Sequence, residues 1–227
     1  MCGKFTAMAS YAEVIAFEQP LSADRDYKAE ADRALTFRVM GNIPLLVWDK
    51  ETRQRRILFA RWGFPARGDW RRPDPVHARA ETIEQKPTFR GAFLDGQRGI
   101  SLIKTFCEAP DVPGPTQQHV ITPDAQKSPI AFLWRKFDVG APDPLYACVM
   151  VTVPANKLIA GLPTDRMPAF LEWGDFSKWI GEEPASVDEL KAVLKTVEGI
   201  RWRMQKEERA ETARRGKPNV SDPGGLF

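Results

Sequence analysis

Short apolar, β-branched runs follow one another along this chain with few helical patterns between them, and that order limits the fold more than any other feature. The clearest run is LYACVMVTV at 145–153; others read as strands over 43–48, 56–64, 99–106, 119–122 and 131–137. Helical signals are sparse. Ser10 to Glu13 has the form of a capping box and opens a short helix through Val14, Ile15 and Phe17 that stops before Pro20. Glu84 to Leu94 reads as a helix with Pro87 tolerated in its first turn. A second capping box, Ser186 to Glu189, heads a helix through Leu190, Val193, Leu194 and Val197. Strands and helices do not alternate regularly, so a βαβ-type parallel sheet is excluded. The expected fold class is α+β, a mixed and mainly antiparallel β-sheet with a few flanking helices.

The Pro- and Gly-rich loops at 65–75 and 110–115 have strands on both sides that can share a sheet, so neither is a domain linker. A single domain is expected over 2–200. From residue 201 the chain turns into a charged, helix-compatible segment, WRMQKEERAETARR, and then GKPNVSDPGGLF, with the composition of disordered chain. No apolar run approaches the ~20 residues of a membrane span, and no basic stretch leads into an apolar one as in a secretory signal. A cytoplasmic protein without membrane contact is expected. The cysteines Cys2, Cys107 and Cys148 have no metal-type spacing and read as free thiols of a reducing compartment, with Cys107 and Cys148 in the core. The only histidines, His77 and His119, cannot build a histidine-rich metal site, and no cofactor is expected.

Net charge is +3, unevenly spread: between Lys50 and Arg72 eight basic residues stand against two acidic ones, with Trp62, Phe64 and Trp70 among them. Cations on phosphate and rings on unpaired bases make such a stretch suitable for nucleic acid; a solvated loop beside core aromatics is the alternative. Cys2 raises a second question. It is either a cysteine buried on the first strand or, once Met1 is removed, a residue with a free α-amine and a thiol on adjacent carbons.

Several segments answer it together. MCGKF at 1–5, RWGF at 61–64, HARAET at 77–82, KPTF at 86–89, a strand ending Phe106-Cys107-Glu108, AFLW at 131–134 and TDRMPAFL at 164–171 occur in order. They resemble the SOS response-associated peptidase (SRAP) family, or abasic-site processing proteins, with its patterns MCGR, RWGLIP, NARAET, GFYEW, AGLW and H-x-RMP. The resemblance runs over residues 2 to 180. It implies a barrel-like core and a monomer that acts on abasic sites in single-stranded DNA, nucleoid-associated when bound. It also implies that the amine of Cys2 forms a Schiff base with the abasic-site aldehyde and that the thiol closes a thiazolidine ring. Glu108 matches the Glu of GFYEW, a proton shuttle beside the amine; a strand-end Glu in water is the alternative. Arg79 matches a phosphate-binding arginine, with a salt bridge to Glu81 as the other reading. Lys4 stands for the Arg of MCGR. Arg61, Phe64 and Trp70 are placed at the DNA, the two rings as candidates for stacking or wedging, with Trp62 in the core. Arg166 is either structural or phosphate-facing.

Two departures matter. His77 stands where the family has Asn, and Thr164 where it has the His of H-x-RMP, which the family uses for proton transfer; threonine cannot titrate near neutral pH. Ala109 and Arg38 also depart, at the Trp of GFYEW and at an Asn of the early YNIAP-like segment. His77 is therefore a candidate replacement for the titrating group absent at Thr164. His119 reads as a solvent-edge strand residue without a role. Three readings remain: an enzyme that crosslinks abasic sites, a binding module without covalent chemistry, and an N-terminal-nucleophile hydrolase, which would call for a propeptide.

Overall fold

A computed structural model of the chain describes residues 2–8, 34–110, 112–113, 117–124 and 128–207. The helix expected from Ser10 lies outside the described residues. Along the described chain the elements are β1 (Lys4–Met8), β2 (Ala34–Arg38), β3 (Asn42–Asp49), β4 (Gln54–Trp62), β5 (Pro65–Ala66), β6 (Asp69–Pro73), β7 (His77–Arg79), α1 (Pro87–Leu94) and β8 (Arg98–Ile103). Then come β9 (Thr105–Glu108), β10 (His119–Thr122), β11 (Ser128–Phe137), β12 (Leu145–Pro154), α2 (Lys157–Ala160), β13 (Arg166–Pro168), α3 (Phe176–Ile180), α4 (Val187–Ala192) and β14 (Arg203–Lys206).

The uninterrupted apolar character of 145–153 is explained by where β12 lies. It is buried from Ala147 to Val153 and is paired along both edges, with β11 and then β13 on one side and β4 and then β7 on the other. A strand covered on both faces has no need of polar alternation. The pairings run β11-β8-β3-β4-β12, and β11 also pairs with β12, so this sheet closes into a barrel. Ile43, Leu45, Leu58, Ala60, Phe132 and Val149 are all buried there. Mainly antiparallel pairing, a barrel-like core and few helices make the fold α+β, as the pattern of runs implied.

A second sheet, ordered β14-β10-β9-β1-β2, packs against the barrel. The register sets Phe37, Phe5, Phe106, Ile121 and Met204 in one row across its five strands. Residues directly opposite in antiparallel pairs share a face, and this row is the core face: Phe5 meets Trp62 and Phe132 of the barrel at ring centroids of 5.4 and 6.2 Å.

Some boundaries differ from the sequence reading for physical reasons. The apolar run 99–106 is two strands in different sheets, and between them the Lys104 N–H donates to the Thr6 carbonyl at 2.8 Å. The helix expected from Glu84 starts at Pro87. Lys86 stays extended (ψ 121°) because the residue before proline is pushed out of the helical region. The capping box at Ser186 is formed, but its helix ends at Ala192, before Val197. The segment read as helix-compatible from residue 201 supplies β14 instead, which pairs with β10 and places Met204 opposite Ile121. Tertiary pairing has overridden local preference there.

Candidate active site

Cys2 lies just ahead of β1 at the seam between the two sheets. It is buried, and its thiol donates to the Lys4 carbonyl at 3.5 Å. Burial, reinforced by the charge of Glu108, pushes the thiol well above its usual range, so at neutral pH it keeps its proton. Two side chains flank this residue along its backbone. His77 opens β7, and its Nε2 lies 2.7 Å from the Cys2 carbonyl oxygen. Burial lowers His77 to about 4, which leaves the ring neutral at pH 7 with Nε2–H donating to that carbonyl. Trp62 holds the imidazole edge-on at 6.1 Å, and its own Nε1 donates to the Val76 carbonyl at 3.0 Å.

On the other side of Cys2 is Glu108, at the end of β9. Alternation along that strand puts Glu108 on the same face as buried Phe106 and Cys107 on the opposite face. Glu108 is only 1 % exposed. Burial raises its carboxyl to about 7, while the positive amino terminus of the chain and a hydrogen bond from the Cys2 backbone N–H pull the other way. A carboxyl poised at neutrality therefore lies at the nitrogen side of Cys2, and a neutral imidazole lies at its carbonyl. The strand-end Glu in water, one of the two sequence readings, is corrected: this carboxyl is buried.

Thr164 makes no hydrogen bond to Cys2, His77 or Glu108. Its side chain makes no hydrogen bond among the described residues, and its N–H donates to the Leu162 carbonyl at 2.6 Å. Register explains this: Asp165 pairs with Ala155 past the end of β12, whereas His77 pairs with Met150 inside that strand.

Four residues placed at DNA by the sequence are used inside the fold. Arg166 is buried and clasps Glu81 with both nitrogens, at 2.5 and 2.8 Å, while also donating to the Thr152 carbonyl at 2.6 Å. Its phosphate-facing alternative is thereby corrected in favour of the structural one. Lys4 is buried, sits opposite Cys107 on the outer side of β1 and is paired with Glu207. Phe64 is in the core against Phe137 and Phe89, at 5.1 and 6.3 Å. Arg61 is buried, and donates to the carbonyls of Trp70 at 2.7 Å and Gly63 at 3.3 Å. It anchors the β5–β6 hairpin rather than facing solvent. That hairpin carries Trp70 on the outside, 38 % exposed, with the Arg71 guanidinium 4.9 Å from its ring centre. Arg79 is exposed, and the carboxylate once suggested as its partner is committed to Arg166. Sequence reasoning passed over His119, which register sets directly opposite Glu108. Motif comparison holds no signal for such a cross-strand neighbour.

With this geometry in place, similarities to other proteins can be weighed. The profile of the family described as SOS response associated peptidase (SRAP) matches residues 1–208. The chain belongs to the SRAP family. It is similar to the abasic site processing protein YoqW of Bacillus subtilis (strain 168), 24% identical over 201 residues that make up 86% of each chain. It is likewise similar to the abasic site processing protein YoaM of the same organism, 26% identical over 202 residues, 86% of this chain and 85% of that one. Among solved structures, a protein from Bacteroides thetaiotaomicron superimposes with a TM-score of 0.75 at 18% identity, covering 91% of this chain and 92% of the other. One from Bordetella bronchiseptica does so with a TM-score of 0.72 at 19% identity, covering 92% and 100%. No helix among the described residues is long and apolar enough to cross a membrane.

Proposed function

We propose that this protein processes abasic sites in single-stranded DNA by joining the lesion covalently to Cys2 once Met1 has been removed. The observation that carries this reading is the placement of Cys2 between a neutral histidine at its carbonyl and a buried carboxyl, poised near pH 7, at its nitrogen. The freed α-amine adds to the C1′ aldehyde of the ring-opened sugar. Glu108 gives its proton to the hydroxyl of the resulting carbinolamine, which departs as water and leaves an imine. The thiol then adds to the imine carbon and its proton returns to the Glu108 carboxylate, closing a thiazolidine. One amine, one thiol and one aldehyde become one ring and one water, and the carboxyl ends as it began. Burial keeps the thiol protonated, and so unreactive toward oxidants, until an imine is beside it.

The test is incubation of the wild-type chain with an oligonucleotide carrying one abasic site, followed by a denaturing gel and intact-mass measurement. A resistant adduct on protein lacking Met1, with one water lost, supports the reading. Binding without an adduct makes the protein a non-covalent module instead.

Two further outcomes follow. His77 is neutral above about pH 4, so His77→Asn keeps a donor for the Cys2 carbonyl and changes the crosslinking rate at pH 7 by less than about threefold. It does change acid stability. A histidine whose folded value is lowered contributes stability that is present above pH ~6.5 and lost as pH falls toward about 4; the variant escapes that loss, by roughly 2 kcal/mol at pH 5 in thermal or urea melts. Trp70→Ala weakens binding of undamaged single-stranded DNA by roughly tenfold in a fluorescence-anisotropy titration, the effect of removing one stacking platform.

A further inference from the structure

We propose that His119 is the proton-exchange partner of Glu108 and relays the protons that neither Thr164 nor His77 carries. The inference rests on the covalent chemistry proposed above and adds a residue to it. In the antiparallel β9–β10 ladder Glu108 lies directly opposite His119, and across the next ladder His119 lies opposite Lys206 of β14. Opposite residues project from the same face with Cβ atoms ~4.5–5.5 Å apart. The face is the inner one, because two residues along the same strands the Phe106–Ile121 pair is fully buried. His119 itself is half-buried, toward the open edge of the sheet, whereas Glu108 is closed off. The imidazole therefore stands between the carboxyl and water.

A second observation marks this ring. Its Nδ1 is shut off from solvent and has no hydrogen-bond partner among the described residues. A buried ring nitrogen left unpaired destabilises the fold. Such an atom belongs where a partner arrives during function.

The chemistry calls for such a group. Each crosslink moves protons through Glu108, and a carboxyl with almost no exposed surface cannot trade them with bulk water directly. Imidazole passes a proton by accepting at one nitrogen and releasing from the other. The amine starts as an ammonium, so Glu108 first takes its proton, gives that proton to the departing hydroxyl and then holds the one the thiol returns; His119 carries this last proton out to water and resets the carboxylate. Each crosslink that starts from the ammonium releases one proton, and that proton is the one the ring carries. The sequence holds two histidines, and the other is committed to the Cys2 carbonyl. Among the described residues the titratable and charged groups directly opposite His119 are Glu108 on β9 and Lys206 on β14, with Cys2 and then His77 lying beyond Glu108. Lys4, Cys107 and Glu207 lie toward the opposite face of this sheet.

The experiment measures crosslinking rate against pH, from pH 5 to 9, with a single-stranded oligonucleotide bearing one abasic site. The proteins are wild type, His119→Gln and His119→Ala. Both variants are expected to slow at least tenfold at pH 7 and to lose one limb of the wild-type pH profile, with binding of undamaged oligonucleotide unchanged. Added imidazole is expected to restore the rate of His119→Ala. Wild-type rates and an unchanged profile in the variants overturn the proposal, as does a slowing that keeps the profile and ignores imidazole, the mark of a purely structural residue. Absence of any adduct with the wild-type chain is a separate result: it overturns the covalent reading, and this one with it.

Discussion

Cys2→Ser turns a denaturation-resistant adduct into one that survives only when trapped with borohydride. Serine is as small as cysteine at the second position, so Met1 is still removed and the α-amine is still free. The amine reaches the aldehyde and the imine forms as before. What changes is the second bond. A hydroxyl adds to the imine carbon far less readily than a thiol and gives an oxazolidine that water reopens, so the denaturing gel shows about 100-fold less adduct without reductant. Borohydride reduces the imine to an amine that cannot hydrolyse, and the adduct then returns to within a few-fold of wild type. The two halves of the nucleophile are thereby read separately. Undiminished adduct in Cys2→Ser without borohydride would remove the thiol from the mechanism. No adduct even with borohydride would remove the amine. Folding should survive the change, because a buried hydroxyl in place of the thiol costs only about 1 kcal/mol where the Lys4 carbonyl can accept from it.

The strands and the three residues grouped at the candidate site were legible in the sequence for one reason: their signals are local. The β-branched run at 145–153 fixes its own conformation, and Cys2, His77 and Glu108 each sit in a contiguous motif. What was not legible is pairing. Arg61 and Arg166 look like phosphate ligands because a guanidinium in a basic stretch reads as free charge, yet one is used up by carbonyls and the other by Glu81 and Thr152. Lys4 was expected at DNA for the same reason and is paired with Glu207, a partner two hundred residues away that no local pattern announces. Phe64 follows the same logic for rings: only the packing of Phe89 and Phe137 shows that it is inside. His119 was set aside as an edge residue. A strand pattern gives alternation but not register, and register is what sets this ring opposite Glu108.

Glu108→Gln is expected to cripple crosslinking and to stabilise the fold, with the size of the second effect set by pH. The rate falls by about 100-fold or more, since the amide can neither give the departing hydroxyl a proton nor take one from the thiol. The stability change follows from burial. A carboxyl raised from its ordinary value near 4.5 to about 7 in the folded chain favours the native state in its protonated form. That contribution is fully present below pH ~4.5 and is lost as pH rises through about 7, because above it the native state must hold an ion that the unfolded chain would leave in water. Glutamine stays neutral throughout and still accepts the Cys2 N–H. The two proteins therefore melt alike near pH 4 and part company as pH rises, with the variant more stable by on the order of 3 kcal/mol at pH 9. Thermal melts of both proteins across that range measure the divergence, and parallel curves would show that the carboxyl is not held in the protonated form. Loss of rate joined to gain of stability in one variant is the signature of a group placed for chemistry against the preference of the fold: a strand-end position that only packed would gain from an apolar side chain, and a solvated one would be indifferent to pH.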